Sequence, residues 1–182
     1  MKDLPDAELM QQSAQGSELA FSELVRRYQD ILLNFFLRSA VSFVDGQDLA
    51  QRTFLRLWRY RKKYQAGEAK FTTFLFMLAR QESIDFFRAE TRRRTQEENL
   101  ARAASELVPA TGKGVSETGE AVRRAMGRLT PALREAVELV VFQDLPYAEA
   151  GEVLGVPLGT VKSRIFNALK KLKEHLGHER RS

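Results

Sequence analysis

Apolar residues recur along this chain at spacings of three and four, and strand-like alternation is almost absent, so the pattern predicts helices throughout. A short helix is expected from about Asp6 to Gln15, and a longer one from Ser17 to about Ser39. The core face of the second is Leu19 or Ala20, Leu24, Tyr28, Ile31, Leu32, Phe35 and Phe36. A third runs from about Gly46 to Lys63 with Asp45 as its cap, buried through Leu49, Ala50, Thr53, Phe54, Leu57 and Tyr60. The short loop Gln65–Lys70 separates it from a fourth, about Thr72 to Arg94. Regular spacing resumes at Ala121, and Thr130-Pro131 opens a helix as cap and first helical residue. Its buried stripe is Leu133, Ala136, Val137, Val140 and Val141.

Between these two groups the composition changes. Thr95 to Thr118 contains Pro109, Gly112, Gly114, several alanines and no aromatic, with four glutamates against Arg102 and Lys113. This reads as a flexible tether with a continuing helix at its start. The predicted architecture is all-α: a four-helix domain over residues 1–95, a linker over 96–118 and a second helical domain over 119–182.

The second domain ends in a helix–turn–helix pattern. Tyr147, Ala150, Gly151 and Leu154 mark a packed first helix. Gly155 suits a left-handed position, and Pro157 blocks continuation of that helix. Beyond the turn, Leu158, Val161, Ile165, Ala168, Leu169, Leu172 and Leu176 keep one face apolar at roughly 100° per residue. The opposite face carries Ser163, Asn167 and Lys170, flanked by Lys162, Arg164 and Lys171. Hydroxyls and cations beside a constrained turn suit a helix whose N-terminal end enters a DNA major groove. A surface amphipathic helix with ordinary lysines is the competing reading.

Charge sharpens the picture. The chain of 182 residues carries a net charge of +5. From Leu158 onward there are seven lysines and arginines against two glutamates, so the excess is concentrated in the tail. With no cysteine, disulfides and thiolate metal sites are excluded. The only imidazoles, His175 and His178, read as a solvated helix end, and no cofactor is expected. No apolar run reaches the ~18–20 residues of a membrane span, and the N-terminus lacks the apolar core of a signal peptide. The sequence therefore predicts a cytoplasmic protein without membrane insertion.

Three features of the helices remain. Asp48, Gln51, Arg52, Leu55 and Arg59 line the polar side of the third helix, which is either a solvated face or a protein-docking surface. Phe71, Phe74, Phe76, Phe86 and Phe87 lie among Lys70, Arg80, Arg88 and Arg92–Arg94. Rings beside cations suit single-stranded nucleic acid, although at least three of these phenylalanines are expected in the core. Leu139 and Phe142 fall opposite their helix's buried stripe, and so mark a partner contact or a second packing surface.

Two blocks now carry a resemblance. One is Asp48-Leu49-Ala50-Gln51-Arg52-Thr53-Phe54-Leu55-Arg56-Leu57-Trp58 with Phe71-Thr72-Thr73-Phe74-Leu75, Leu78 through Asp85, and Arg88. The other is Leu129-Thr130-Pro131, Arg134, and Leu145-Pro146-Tyr147 through Arg164-Ile165. Together they resemble regions 2 and 4 of the extracytoplasmic-function (ECF) sigma factors, small bacterial initiation subunits of RNA polymerase, over roughly Ala20 to Leu176. The resemblance implies a non-enzymatic protein that binds core RNA polymerase and promoter DNA and aids strand opening. Asp48, Gln51, Arg52 and Leu55 would dock on the beta-prime clamp helices, and Leu139 and Phe142 on the beta flap. Lys70, Phe71, Phe74, Arg80, Gln81 and Arg88 would receive the −10 element. Thr160, Lys162, Ser163, Arg164, Asn167, Lys170 and Lys171 would serve the −35 element, and the tether would follow the RNA channel. An anti-sigma factor is a common further partner in the family.

The sequence departs from the family pattern at several places. Arg52 stands where an acidic residue is usual, Phe74 where tryptophan is common and Gln81 where asparagine is common. Ala148, Ala150 and Gly151 replace residues that are often glutamate, isoleucine and alanine, and Gly151 is expected to loosen its helix. Two other functions fit parts of the chain. A stand-alone helix–turn–helix regulator needs only the C-terminal half. A DNA-processing enzyme needs a positioned nucleophile or a carboxylate cluster, and neither is visible.

Overall fold

The computed structural model describes residues 3–39, 41–65, 67, 69–101, 122 and 124–179. Every regular element among them is helical: α1 (Asp6–Ala14), α2 (Glu18–Arg38), α3 (Phe43–Tyr60), α4 (Phe71–Ala101), α5 (Pro131–Val137), α6 (Tyr147–Leu154) and α7 (Leu158–Glu179). A 3₁₀ turn, Arg61–Lys63, follows α3, and a π-helical turn, Glu138–Phe142, follows α5. The continuing helix expected at the start of the tether is present, since α4 extends to Ala101. Residues 102–118 of the predicted linker lie outside the described residues, as do the side chains of Leu176, His175 and His178.

Local chemistry sets the helix ends. Ser17 caps α2 by accepting from the Ala20 N–H at 3.2 Å. The cap of α3 is Ser42, not Asp45. Its hydroxyl accepts from the Asp45 N–H at 3.1 Å and donates to the Asp45 carboxylate, a side-chain cap that starts the helix earlier than the apolar spacing indicated. Pro131 takes the first turn of α5 as predicted.

The first four helices pack around Leu9, Met10, Leu24, Leu32, Phe36, Leu49, Leu57, Leu75 and Phe76, all essentially without solvent access. Polar ties fix their relative positions. Asp6 accepts from Arg27 at 2.6 Å and from the Tyr28 hydroxyl, pinning α1 to α2. Arg56 spans α3 and α4, meeting Glu82 at 2.6 Å and Asp85 at 3.3 Å.

The second group encloses Met126, Leu129, Ala136, Val137, Val153, Val161 and Ile165. Arg134, on α5, donates to the Met126, Gly127 and Leu129 carbonyls at 2.9–3.0 Å, tying α5 to the end of the preceding helical residues. The buried side chains of the two groups form one connected cluster, with α4 packed on α6.

The turn between α6 and α7 shows why glycine stands at two of its positions. Gly155 has φ +66° and ends α6 in a left-handed residue. The Gly155 N–H donates to Glu152 O and the Val156 N–H to Gly151 O at 3.0 Å, the paired bonds of a Schellman motif. A Cβ on Gly151 would lie 2.9 Å from the Val156 carbonyl oxygen. The expected loosening of α6 is therefore corrected: the missing methyl is what lets the turn close against the helix.

Alanine at a helical glycine ordinarily stabilises by about 0.5–1 kcal/mol. Here Gly151→Ala should instead destabilise, by about 1 kcal/mol or more, because the turn must shift to admit the methyl. A chemical-denaturation midpoint that rises in this variant would contradict the close approach.

Candidate nucleic-acid interface

Helix α7 turns its apolar face inward through Val161, Ile165 and Ala168. Lys162, Ser163, Asn167, Lys170 and Lys171 are exposed, while Thr160 and Arg164 are half-buried at the edge of the same surface. Pro157 O accepts from the Thr160 and Val161 N–H groups, so the first turn is fixed by backbone alone. The Ser163 hydroxyl donates to Thr160 O at 3.0 Å. The structure thus gathers all seven predicted residues on one helix beside one turn. It also adds one the sequence reading missed: Phe166, 71% exposed, sits among these cations. An apolar ring on the polar side of a 3.6-residue pattern was the available signal. Leu158 and Leu169, assigned to the apolar face, are about half exposed.

A second surface lies at the start of α4. Phe71 is buried, resting edge-on against Tyr28 at 5.2 Å and against Tyr64 at 6.3 Å. Phe74 is half-buried beside the same Tyr64 at 5.5 Å. Tyr64 and Phe71 line a cleft of about 540 Å³ together with Lys70, Thr72, Gly67 and Asp6. Phe71 is therefore one of the phenylalanines that the core takes, with Tyr64 from the preceding loop edge-on beside it.

Gln81 and Arg88 continue the Phe74 side of α4 at seven-residue intervals, both exposed, with the Gln81 amide donating to Asp85 at 3.0 Å. Arg80 points elsewhere, toward α5, and pairs with Glu135 at 3.3 Å. A mostly apolar cleft of about 550 Å³ lies there, bordered by Phe35, Ile84, Phe87, Arg88 and Pro131. Of the six residues assigned to the −10 element, Lys70 and Phe71 line the first cleft, Arg80 and Arg88 the second, and Phe74 and Gln81 neither.

On α3, Asp48, Gln51, Arg52 and Leu55 form an exposed stripe, with Leu55 59% accessible. Asp48 and Arg52 pair at 2.8 Å across one helical turn. Both side chains of that pair are more than half exposed, so Arg52 keeps its charge at the surface beside Leu55.

Leu139 and Phe142 part company. Leu139 is 1% exposed, whereas Val141, expected in the core, is 51% exposed. The π turn is the reason: an i→i+5 repeat holds an extra residue per turn and rotates the side chains that follow out of the 3.6-residue register. Leu139 is consequently withdrawn as a surface residue. Phe142 remains partly exposed, with the Arg38 guanidinium 4.4 Å from its ring centre.

The same arginine makes the central contact between the two helical groups. Arg38 donates twice to the Glu138 carboxylate, each bond 2.7 Å. Gln143 donates to the same carboxylate at 2.8 Å. Glu138 is 1% exposed, and burial pushes its pKa up while Arg38 opposes the rise. Arg134 adds a bond to Ser39 O at 3.2 Å. Further along, Glu149 of α6 lies 2.7 Å from the Lys70 ammonium and accepts from the Thr73 hydroxyl at 3.1 Å.

An all-helical pair of modules, one ending in an outward-facing basic recognition helix and the other carrying an aromatic and cationic cleft, defines a DNA-binding protein of two regions. Residues 24–93 match the family model for Sigma-70 region 2, and residues 119–172 that for Sigma-70, region 4. The chain is 30% identical over 160 residues to the ECF RNA polymerase sigma factor RpoE of Cereibacter sphaeroides, covering 87% of each. Its fold is similar to that of CnrH in complex with the cytosolic domain of CnrY, with a TM-score of 0.72, 26% identity, and 95% and 97% of the two chains covered. The sigma factor RpoE bound to the anti-sigma factor NepR from Bartonella quintana shares the fold at a TM-score of 0.68 and 23% identity, over 86% and 96% of the chains. The protein belongs to the ECF RNA polymerase sigma factors. No helix among the described residues is long and apolar enough to cross a membrane.

Removing Arg38 leaves Glu138 buried without its cation, a change that costs about 3–5 kcal/mol in comparable pairs. Arg38→Ala should lose stability of that order at neutral pH and less in acid. With the folded-state pKa above the unfolded value of about 4.3, the native chain holds the extra proton between the two. Stability therefore falls as pH rises through that window. Denaturation curves for Arg38→Ala that are flat from pH 4 upward would contradict this.

Proposed function

We propose that this chain directs core RNA polymerase to promoters by holding the −35 element on α7 and the opened −10 element along α4. The observation that carries the reading is the presence, on one chain, of two nucleic-acid faces of different chemistry. On α7, cations and hydroxyls project from the first turns of a helix whose turn is fixed by backbone bonds, which suits base edges and phosphates of a duplex. Thr160, Lys162, Ser163, Arg164 and Asn167 would face the groove, and Lys170 and Lys171 the backbone. On α4, Lys70, Phe71, Phe74, Arg80, Gln81 and Arg88 combine rings with cations, which suits a single strand. Capturing one or two unstacked bases returns ~1–3 kcal/mol each, enough to bias a melting step that costs a few kcal/mol.

The stripe of Asp48, Gln51, Arg52 and Leu55 would dock on the polymerase clamp helices. Leu55 would supply the apolar contact, flanked by an ion pair that contributes little net charge. Phe142, supported from within by Leu139, would meet the flap. Bond formation belongs to the polymerase, and the protein itself would act in the cytoplasm without a cofactor. Family neighbours assembled with an anti-sigma factor support a similar inhibitory partner here.

The direct test is run-off transcription with core polymerase and a promoter library. Promoter-specific transcripts that appear only when the chain is added support the reading. Failure of core enzyme to recruit the chain would sink it in favour of a stand-alone regulator. Within that assay, Arg164→Ala should weaken promoter binding by ~1–3 kcal/mol and erase part of the discrimination between a matched and a scrambled −35 sequence. Lys171→Ala should lower affinity for all sequences alike and reduce the salt slope by about one unit. Equal salt slopes for wild type and Lys171→Ala would remove that lysine from the contact.

A further inference from the structure

We propose that the groove between α4 and α5 binds an alkyl carboxylate of medium chain length. Its chain would lie against Phe35, Ile84, Phe87 and Pro131, and its charged end at Arg88 and Arg92. Apart from Arg80 and Arg88, the groove has no part in the promoter reading.

The shape suits a small, elongated molecule. One wall is a stripe of α4 that runs from Arg80 to Thr91 at intervals of three and four residues. At the helical rise that stripe is about 16 Å long. The volume of about 550 Å³ lies within the usual range of small-molecule sites. A peptide helix does not fit it. With side chains such a helix is about 10–12 Å across, and over the same length it would fill more than about twice the space.

The polar groups of the lining are mostly committed. Arg80 pairs with Glu135 at 3.3 Å, Arg134 donates to backbone carbonyls, and Glu138 holds Arg38. Arg88 and Arg92 are exposed, and neither holds an ion pair among the described residues. Both stand toward the C-terminal end of the stripe, and helical side chains lean back over the preceding turn. The uncommitted positive charge is therefore gathered at one end of an apolar groove. A nucleic-acid strand carries a charge at every nucleotide and matches this poorly, whereas an apolar chain with one anionic end matches it well. Ser83 belongs to the same wall. It is 7% exposed, and its hydroxyl has no hydrogen-bond partner among the described residues. Finished interiors pair such groups, so this wall has the character of a site and not of a sealed core.

The test is calorimetric titration of the full chain with octanoate, decanoate and dodecanoate, each below its micelle concentration. Saturable binding is expected, with affinity rising about threefold to fourfold per added methylene. Decanol, equal in chain and without charge, should bind about threefold to tenfold more weakly than decanoate. Arg92→Ala should weaken decanoate about threefold and leave decanol unchanged, and Arg92→Lys should recover most of the loss. Phe87→Ala should weaken both ligands, by about tenfold. Should Phe87→Ala fail to fold, the two exchanges at the exposed Arg92 still decide the matter. No saturable binding, affinity independent of chain length, decanol as tight as decanoate, or binding that neither position affects overturns the inference. Hydrogen-exchange protection of residues 84–91 by core polymerase or by a −10 strand, with no carboxylate bound, gives the groove to that partner and overturns it equally.

Discussion

A carboxylate with almost no access to water holds the two halves of this protein in register. Glu138 meets Arg38 through two bonds of 2.7 Å, and Gln143 completes its shell. Burying such a pair is costly, and its attraction offsets that cost only when geometry is good and remaining lone pairs are satisfied. Both conditions hold. Because the pair tolerates little displacement, it fixes the angle at which α5 and α6 lie along α4. From that angle follow the reach of Glu135 to Arg80 and of Glu149 to Lys70. The half-exposed contacts are weak individually, and the buried one supplies their alignment.

In the proposed function, the two nucleic-acid faces divide their work according to what each must hold. Duplex DNA presents a rigid groove, and α7 answers with a helix whose entry turn is fixed by Gly151, Gly155 and Pro157 without help from any mobile side chain. A single strand would be taken base by base, and α4 offers it rings of graded burial, the buried Phe71 and the half-buried Phe74. The α3 stripe proposed for docking lies apart from both, which would leave one surface for polymerase while the others hold DNA.

Much of this was legible in the sequence because helices announce themselves through spacing. The bounds of α1 and α2, the core positions Leu24, Leu32, Phe35 and Phe36, and the turn at Gly155 all follow from periodicity and residue type. What escaped had physical causes that spacing does not carry. Asp45 was read as a cap because Ser42 lies outside the apolar repeat, although its hydroxyl starts the helix. Leu139 and Val141 exchanged roles because a π turn leaves no mark in a 3.6-residue count. Gly151 looked like a weakness until its distance to Val156 O was known. The contacts between halves were invisible, since Arg38 and Glu138 stand a hundred residues apart and neither belongs to a motif.

The π turn carries one more consequence. A segment wound with a surplus residue can be relieved of it: deleting any one position between Glu138 and Phe142 would let an ordinary α-helix run through. The side chains that follow would keep their places, because the π turn is what absorbs the additional residue. Descendants of this chain should therefore tolerate the loss of one residue here better than the gain of another.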